Sequence, residues 1–223
     1  MTRHEFLLEL HELLRPRGYL EIGVHTGDSL RLVIPGTPAI GIDPAPQVNR
    51  VLSSGTQVIK STSDNFFSPF PDANNALVPD PLDLAFIDGM HLYEYALRDF
   101  LNIEQYANSR TVVVFDDVLP RNQEEAAREQ CPGDWAGDVW KVTGLLKAYR
   151  PGLQVHTVDT SPTGTLAVWG FGVEPEPWVK DYDQIMMMNL DQFNEVPQEI
   201  IKRTEALSPR KALQLITKDM ETA

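Results

Sequence analysis

The stretch Tyr19-Leu-Glu-Ile-Gly-Val-His-Thr-Gly-Asp28 decides the fold of this chain. A short apolar run that contains Glu21 leads directly into Gly23 and Gly27, and the start of a helix follows. This order predicts a strand that turns tightly into a helix N-terminus, which is where α/β sheets bind nucleotide-like ligands. The two glycines suit such a turn because a residue without a Cβ atom lets the backbone turn sharply and approach a ligand closely.

The rest of the chain alternates between apolar runs and helical patterns. The apolar runs predict six further strands, at residues 39–43, 56–60, 82–88, 111–115, 153–158 and 165–171. Helical periodicity predicts helices at residues 2–15, 91–107, 138–149, 181–193 and 198–220, the last interrupted near Ser208 and Pro209. Five alternating strand–helix units predict a doubly wound, Rossmann-like α/β sheet of parallel strands. The connection before residue 165 is too short for a crossover helix, so the last two of the seven strands must form an antiparallel hairpin.

The composition excludes several classes of function. The chain of 223 residues has a net charge of −13, and its 19 Lys and Arg residues form no basic patch. Such a chain repels a phosphate backbone, so we expect no nucleic-acid partner. The single cysteine, Cys131, excludes an internal disulfide and fits a reducing compartment. No apolar run approaches the ~20 residues that span a bilayer, so we expect a cytoplasmic protein without a membrane partner.

Asp43 strengthens the interpretation as a nucleotide site. It ends the second predicted strand, 22 residues after Glu21, and the ribose-binding acid of such folds lies about 20 residues on. His25 stands where a dinucleotide site has its second glycine, which leaves less room for a pyrophosphate. The pattern therefore favours an adenosine that carries methionine over a nicotinamide dinucleotide.

Three acids follow the fourth and fifth predicted strands: Asp88, Asp116 and Asp117. Neighbouring strands lie about 5 Å apart, so these carboxylates repel each other unless protons or a cation intervene. Oxygen ligands of this kind select Mg²⁺ or a similar ion, which would bind a substrate hydroxyl and lower its pKa. The alternative is that all three are solvated acids, with Asp88 contacting the cofactor.

Two further residues complete the candidate catalytic set with Asp116. His91 follows Asp88 by three residues, and an imidazole there is a suitable base for a hydroxyl proton, or else a residue that only hydrogen-bonds the loop. Lys141 is a candidate contact for a polar acceptor, or else a solvated charge, and the same holds for Arg121. Asn122, Trp135 and the segment between them are predicted to form a loop over the site. Trp140 is either a stacking surface for a sugar or a core residue.

Four motifs together resemble the class I S-adenosylmethionine-dependent methyltransferases: Leu20-Glu-Ile-Gly-Val-His-Thr-Gly27, Gly41-Ile-Asp43, Phe86-Ile-Asp-Gly-Met-His-Leu-Tyr93 and Val113-Val-Phe-Asp-Asp117. The likeness covers residues 18–171, with the motifs in the family's order, and it is strongest to the stand-alone macrolide-sugar and aminocoumarin-sugar O-methyltransferases (macrocin type). It implies the class I fold, S-adenosylmethionine as the cofactor, and methyl transfer to a hydroxyl of a small, sugar-like acceptor.

The resemblance also implies roles for individual residues. The turn at Gly23, with His25 and Gly27, would hold the methionine part, and Glu21 would support its amino group. Asp43 would bind the ribose hydroxyls. The remaining roles fall to Ser63 or Asp64 near the adenine and to Asp88, Asp116 and Asp117 as metal ligands. Met90 departs from related motifs, which often have an acid there, so one ligand or supporting group of the metal is missing.

The domain organisation follows from these elements. Residues 1–173 are predicted to form the methyltransferase domain with an N-terminal helix, and residues 174–223 a helical extension that packs on this domain or on a partner subunit. Met186-Met-Met188 makes the extension a candidate contact between copies of the chain. Two other functions stay open: a methyltransferase-like module that binds without turnover, and a nicotinamide-dependent oxidoreductase, which His25 and the final hairpin disfavour.

Overall fold

The computed structural model describes residues 1–69, 75–130, 132, 134–172 and 195–221. One seven-stranded sheet has the spatial order β3-β2-β1-β4-β5-β7-β6. Strands β1 to β5 are parallel, and β7 is antiparallel to both β5 and β6. The predicted doubly wound sheet with a terminal hairpin is therefore confirmed. The strands are β1 Tyr19–Ile22, β2 Ala39–Asp43, β3 Thr56–Lys60, β4 Leu82–Ile87, β5 Ala107–Phe115, β6 Gln154–Val158 and β7 Thr165–Trp169.

The helices predicted within the described ranges are present to within a few residues, and a short helix at Ser63–Phe66 was not predicted. The helix predicted to be interrupted near Ser208 is two helices, separated by residues 202–208. The predicted helix at residues 181–193, the three methionines at 186–188 and Cys131 lie outside the described residues. The helices are α1 Arg3–Leu14, α2 Ser63–Phe66, α3 Tyr93–Glu104, α4 Lys141–Tyr149, α5 Gln198–Ile201 and α6 Pro209–Met220.

Two of the expected crossover helices are absent from the fully described connections of the first three strands. After Gly27 the chain forms only a three-residue 3-10 turn, Leu30–Leu32, and the connection from β2 to β3 contains no helix. Prolines explain both differences, because Pro35 and Pro38 follow the first turn closely, and Pro44 and Pro46 open the second connection. The strict alternation of strands and helices was therefore wrong for this half of the chain.

Strand alternation divides the core into two layers. In β5, Val112 and Val114 pack on the face covered by α1 and α6, and Val113 and Phe115 pack on the face covered by α3 and α4. All four side chains are fully buried, as expected for a central strand of a sheet covered on both sides. The same alternation decides which face each residue after a strand will point to.

The N-terminal end of α1 is fixed to the far end of the sheet. Thr2 and Glu5 form a capping box that satisfies the first backbone N–H groups of the helix. The backbone N–H of Arg3 donates to the carbonyl of Ser161 at 3.2 Å, and the N–H of Ser161 donates to the carbonyl of Met1 at 3.0 Å. These bonds place the first turn of α1 beside the β6–β7 connection, at the carboxyl edge of the parallel strands.

The described part of the C-terminal extension packs on the domain itself. Ala212 and Ile216 of α6 are fully buried in the same layer as α1. The indole N–H of Trp169 in β7 donates to Asp219 Oδ2 at 2.9 Å, and Leu207 adds a parallel bridge to Val158. None of the helices in the described ranges has the length and apolar character needed to cross a bilayer.

Candidate functional site

A cleft of about 640 Å³ lies at the carboxyl edge of the sheet. Parallel strands all end at this edge, and the crevice beside them is where open α/β sheets bind ligands. At one end the cleft is lined by Gly23, His25, Asp43 and Ser63, which we call the cofactor end. The other end, which we call the acceptor end, is lined by Asp88, His91, Asp117, Trp135 and Thr163.

Gly23 is required by the close approach of two strand ends. Its φ of 90° lies in the region that side chains rarely adopt, and a Cβ atom there would lie 1.9 Å from the carbonyl oxygen of Asp88. Because β1 and β4 are neighbours paired through Ile22 and Ile87, the chain after each strand passes the other at this point. The sequence prediction of a tight turn here agrees with this geometry.

Asp43 holds the turn after β1 in place. Its Oδ2 accepts hydrogen bonds from the backbone N–H groups of Val24, at 3.0 Å, and His25, at 2.8 Å. Its Oδ1 accepts from the N–H of Ala45 at 2.7 Å. His25 has a φ of 45°, which this pair of bonds supports. Asp43 lines the cleft, and a carboxylate has more acceptor sites than these three bonds use, so it can still accept from a ribose hydroxyl.

Glu21 and Gly27 do not line the cleft. Glu21 is fully buried beneath it, where its carboxyl accepts hydrogen bonds from the hydroxyls of Tyr19, at 2.6 Å, and Ser29, at 2.7 Å. Burial raises the pKa of Glu21 to about 8, although the two hydroxyl bonds oppose the shift. The residue that reaches the cleft in its place is Ser29. Gly27 turns the chain at a φ of 84° and faces the loop of residues 48–52.

The adenine-side candidates lie at the start of α2, and both line the cleft. Asp64 forms an ion pair with Arg98, with distances of 2.6 Å and 2.7 Å between guanidinium nitrogens and carboxylate oxygens. Asp99 was missed by the sequence analysis: it lines the same wall although only 3% of it is exposed. Its burial raises its pKa to about 7, against the effect of a hydrogen bond from Ser63. The helical spacing of α3 could have placed Asp99 on the buried face with Ala96 and Ile103.

His91 is held between groups that accept from both sides of its ring. Its Nδ1 lies 2.7 Å from the carbonyl oxygen of Trp135 and 3.3 Å from Asp117 Oδ2, and its Nε2 lies 3.6 Å from Asp88 Oδ1. The Trp135 ring stacks on the imidazole with centroids 5.1 Å apart. Burial by itself lowers the pKa of His91, but the carboxylates of Asp88 and Asp117 and the Trp135 carbonyl outweigh it and raise the pKa to about 9.

Asp117 reaches the cleft through an unusual backbone conformation. Its φ of 62° is left-handed, which Asp and Asn adopt more readily than most residues. This turn directs its carboxylate toward His91, and the hydroxyl of Thr163 donates to its Oδ1 at 2.5 Å. Burial and the charge of Asp88 raise the pKa of Asp117, and His91 and Thr163 oppose them.

Asp88, His91 and Asp117 together fit a divalent cation. One ligand atom of each lies within 4.8 Å of the others. Because a carbonyl oxygen can only accept, the contact of His91 Nδ1 with Trp135 places the proton on Nδ1 in the neutral ring and leaves Nε2 as a ligand atom. This is the arrangement that orients metal-binding histidines in proteins, where the other ring nitrogen donates to a carbonyl or carboxylate.

Asp116 does not join this group. It is 2% exposed, and neither carboxylate oxygen forms a hydrogen bond of acceptable geometry. Its charged contact is with Arg3, whose Nη1 lies 2.6 Å from Oδ2. Burial and the charges of Asp88 and Asp117 raise the pKa of Asp116, and Arg3 opposes them. The short distance is that of an ion pair, so we treat Asp116 as charged. The sequence-based assignment of Asp116 as a metal ligand and catalytic residue does not agree with this placement.

Lys141 is also placed away from the cleft. It is 7% exposed, and its Nζ lies 2.9 Å from Asp138 Oδ2. It lines a separate cavity beneath α4, so the structure does not bring it to the acceptor end. Trp140 packs with Ala126 and Val196 as a core residue. Arg121 pairs with Glu125 and Asp134 at the surface. Of the two named loop residues, Trp135 lines the cleft, together with its neighbour Asp134, and Asn122 does not.

Several cleft residues carry no signal in the sequence. Arg3 and His4 come from the first turn of α1, and Pro162 and Thr163 come from the β6–β7 connection. The hydrogen bonds between the N-terminus and Ser161 place Arg3 and His4 at the acceptor end, and the pairing of β7 with β5 places the connection that contains Thr163. Met90, where related motifs have an acid, lines the mouth and is 53% exposed.

Comparison with known proteins supports the interpretation of the fold. Residues 20–118 match a family model described as a methyltransferase domain. An uncharacterised protein, R132, of Acanthamoeba polyphaga mimivirus is 34% identical over 115 residues, which are 44% of this chain and 50% of that protein. The chain thus matches about half the length of this curated relative.

Two solved structures have the same fold at low sequence identity. An O-methyltransferase from Bacillus cereus in complex with SAH is 16% identical, with a TM-score of 0.56, and the match covers 74% of this chain and 79% of that one. The O-methyltransferase TomG from Streptomyces achromogenes, in complex with SAM, is 17% identical, with a TM-score of 0.57 and coverage of 76% and 80%. The strand order, the closing hairpin and these likenesses show that the chain has the fold of the class I methyltransferases.

Proposed function

We propose that this chain transfers the methyl group of S-adenosylmethionine to a hydroxyl of a small molecule, with a sugar-like compound as the expected acceptor. The observation that carries the proposal is the continuity of the cleft. Its cofactor end has the glycine turn and Asp43, and its acceptor end has Asp88, His91 and Asp117, in one cavity of about 640 Å³. Methyl transfer requires a nucleophile aligned with the cofactor, and a single cleft with two such ends provides that alignment.

The cofactor is proposed on the turn geometry and on the fold. The B. cereus and S. achromogenes O-methyltransferases hold SAH and SAM, respectively. In this chain Gly23 and Ser29 would contact the methionine part, Asp43 the ribose, and Ser63 the adenine side. Glu21 would act from beneath, through its hydrogen bond with Ser29.

A divalent cation such as Mg²⁺ is proposed at Asp88, His91 and Asp117. Two carboxylates and one imidazole within 4.8 Å offer a ligand set of suitable size and charge. When bound there, the ion would lower the pKa of an acceptor hydroxyl and fix its position. The same three side chains would orient the hydroxyl, and the Trp135 ring beside His91 would exclude water from one side of it.

The reaction also requires a group that takes the hydroxyl proton. In the alternative without a bound ion, His91 is the proposed base, because its Nε2 is then free at the acceptor end and its ring is oriented by the Trp135 carbonyl. With an ion on Nε2 the imidazole has no free lone pair, and the acceptor hydroxyl would release its proton to solvent. Asp117 is held by Thr163 in the same place and would stabilise the imidazolium that forms. We also propose a cytoplasmic location and, as the sequence suggested, a subunit contact through the C-terminal helices.

A binding module without turnover is the second candidate function. It is less favoured because the acceptor end retains an oriented histidine beside an acid pair, and ionisable groups with shifted pKa values cluster at catalytic sites. A nicotinamide-dependent oxidoreductase is not favoured, because the sheet ends in an antiparallel hairpin.

Calorimetry and methyl transfer test the proposal. We expect the purified protein to bind S-adenosylhomocysteine and not NADH, and to transfer labelled methyl groups from S-adenosylmethionine to at least one member of a panel of sugars, polyketide glycosides and catechols. Binding of NADH without S-adenosylhomocysteine would contradict the proposed function. Cofactor binding without any methyl transfer would favour the binding module, and transfer that survives EDTA would remove the metal from the mechanism.

A further inference from the structure

We propose that the ion pair between Arg3 and Asp116 withdraws the third acid from the candidate metal group and balances its charge, so that Asp88, His91 and Asp117 alone set the affinity for a divalent cation. This inference rests on the proposed cation site at Asp88, His91 and Asp117. It assigns a role to the first turn of α1, which no sequence motif indicates.

Strand alternation explains why Asp116 faces α1. Val112 and Val114 of β5 pack on the α1 face of the sheet, so Asp116, two residues further on, continues on that face. Arg3, in the first turn of α1, meets it there, with Nη1 at 2.6 Å from Oδ2. Asp117 avoids this position because its φ of 62° turns the chain toward His91. The two neighbouring acids are thus separated into one that pairs with Arg3 and one that faces the cleft.

Asp116 depends on Arg3 for its charge compensation. The side chain of Asp116 is 1% exposed, so water does not screen it, and the described residues give its oxygens no hydrogen bond of good geometry. A buried carboxylate without a partner is strongly unfavourable. Arg3 is therefore the group that allows an acid to remain at this position next to Asp88 and Asp117.

Arg3 also contributes a fixed positive charge at the acceptor end. Its side chain is 28% exposed and lines the cleft. Burial would lower the pKa of its guanidinium, but the charges of Asp116, Asp88 and Asp117 more than offset this and raise it. A permanent cation beside a cation site repels the incoming ion, and its partner Asp116 attracts the ion by a similar amount. The two charges of the pair therefore cancel at the cation site. Removing only Arg3 leaves a negative charge that should raise the cation affinity, and removing only Asp116 leaves a positive charge that should lower it.

A double-mutant cycle read by Mn²⁺ binding tests this inference. Isothermal titration at one mildly alkaline pH measures the Mn²⁺ affinity of the wild type, Arg3→Gln, Asp116→Asn and the double variant. We expect Arg3→Gln to bind about tenfold more tightly and Asp116→Asn about tenfold more weakly, since each leaves one uncompensated charge near the ion. The double variant should return to within about threefold of the wild type, because the pair is neutral when both charges are removed.

Matched variants separate this effect from general damage to the fold. Arg17 and Asp83 form a second ion pair, with a distance of 2.7 Å between Arg17 Nε and Asp83 Oδ2, at the opposite end of β4. Arg17→Gln removes the same charge far from the cleft and should leave the Mn²⁺ affinity unchanged. Asp117→Asn should abolish Mn²⁺ binding in both the wild-type and the Arg3→Gln background.

The outcomes distinguish this inference from the proposed function. Equal loss of affinity in Asp116→Asn and the double variant would mean that Asp116 is itself a ligand, and would overturn the inference. The inference would also be overturned if Arg3→Gln bound Mn²⁺ no more tightly than the wild type, or if neither the wild type nor Arg3→Gln bound Mn²⁺. S-adenosylhomocysteine binding, measured on the same samples, reports on the proposed function separately, since it does not require the metal.

Discussion

The two ends of the cleft are assembled in different ways. The cofactor end is closed by backbone contacts within a short stretch, where the N–H groups of Val24, His25 and Ala45 all donate to Asp43. The acceptor end collects side chains from four distant parts of the chain, including Arg3, His91, Asp117 and Thr163. At the cofactor end the donors are backbone groups, so the hydrogen bonds depend on one side chain, Asp43, whereas the acceptor end depends on the identity of several residues. The difference shows why the cofactor class follows from the fold while the acceptor does not.

The largest effect is expected from Asp117→Asn, which tests the acceptor end alone. Asparagine tolerates the left-handed backbone at this position, so the fold should survive. We expect methyl transfer to fall by about 10²–10³-fold, because the variant loses the charge that faces His91. S-adenosylhomocysteine affinity, measured by calorimetry, should stay within about twofold of the wild type. A residue that acts only in the reaction changes the rate and not the binding of the cofactor. A parallel loss of cofactor binding would mean that the two ends are not separate.

Gly23→Ala tests the cofactor end directly, because it disturbs the turn that forms this end. A Cβ atom would lie 1.9 Å from the Asp88 carbonyl oxygen, so the ends of β1 and β4 must move apart. We expect a loss of about 3 kcal/mol in the free energy of unfolding and at least about a thirtyfold loss of S-adenosylhomocysteine affinity. Gly36→Ala is the matched control, because Gly36 has a similar φ of 93° with nothing within 4 Å of the added atom. Equal loss of affinity in both variants would exclude the close approach as the cause.

Asp43→Asn should produce a smaller change at the same end. The amide has one accepting oxygen, so it cannot satisfy both the Val24 and His25 pair and the Ala45 N–H that Asp43 now accepts from. We expect S-adenosylhomocysteine to bind about tenfold more weakly, with a loss of about 1–2 kcal/mol in unfolding free energy. Isothermal titration and chemical denaturation measure the two quantities. An unchanged affinity would show that Asp43 serves the turn and not the ribose.

The smallest effect on function is expected at Glu21, beneath the cofactor end. Its pKa is raised from 4.5 to about 8 by burial, so the unfolded chain releases this proton at lower pH than the folded protein does. The stability contributed by the neutral carboxyl is therefore fully present below pH 4.5 and is lost as the pH rises toward 8. Glu21→Gln removes this dependence, because its amide does not ionise.

Thermal unfolding at several pH values measures this difference. We expect the melting temperature of Glu21→Gln relative to the wild type to rise by several degrees between mildly acidic and mildly alkaline solution. The substitution also changes the hydrogen bonds with Tyr19 and Ser29 at every pH. The informative quantity is therefore how the difference in melting temperature varies with pH. A difference that does not vary with pH would show that Glu21 ionises normally.

The sheet was largely predictable because strands are determined by local patterns. The continuous apolar run at Val112 to Phe115 and the short connection before Thr165 predicted a central strand and an antiparallel hairpin, and both are present. The crossover helices after β1 and β2 were not predictable in the same way. Their prediction rested on an analogy with regular strand–helix alternation, and the prolines of these connections prevent a helix from forming there.

The site was predictable where residues follow neighbouring strands, as Asp88 and Asp117 follow β4 and β5. Gly23, His25 and Asp43 lie together because the strand ends β1 and β2 are neighbours. Asp116, Lys141 and Glu21 were assigned from position or from the resemblance. Lys141 and Glu21 are buried against partners outside the cleft, Asp138 and Tyr19, and Asp116 is buried against Arg3. A sequence position after a strand does not say on which face of the sheet a side chain lies once the backbone turns.

The sequence by itself determined the fold class, the turn at Gly23 and the presence of acids after β4 and β5, because each depends on patterns within a few residues. Only the tertiary structure decided which acids share the cleft. The left-handed backbone at Asp117 turns its carboxylate toward His91. The hydrogen bond between Arg3 and Ser161 places Arg3, from the start of the chain, beside Asp116. Such pairings arise from packing between segments more than one hundred residues apart (Arg3 and Asp116), and no local pattern encodes them.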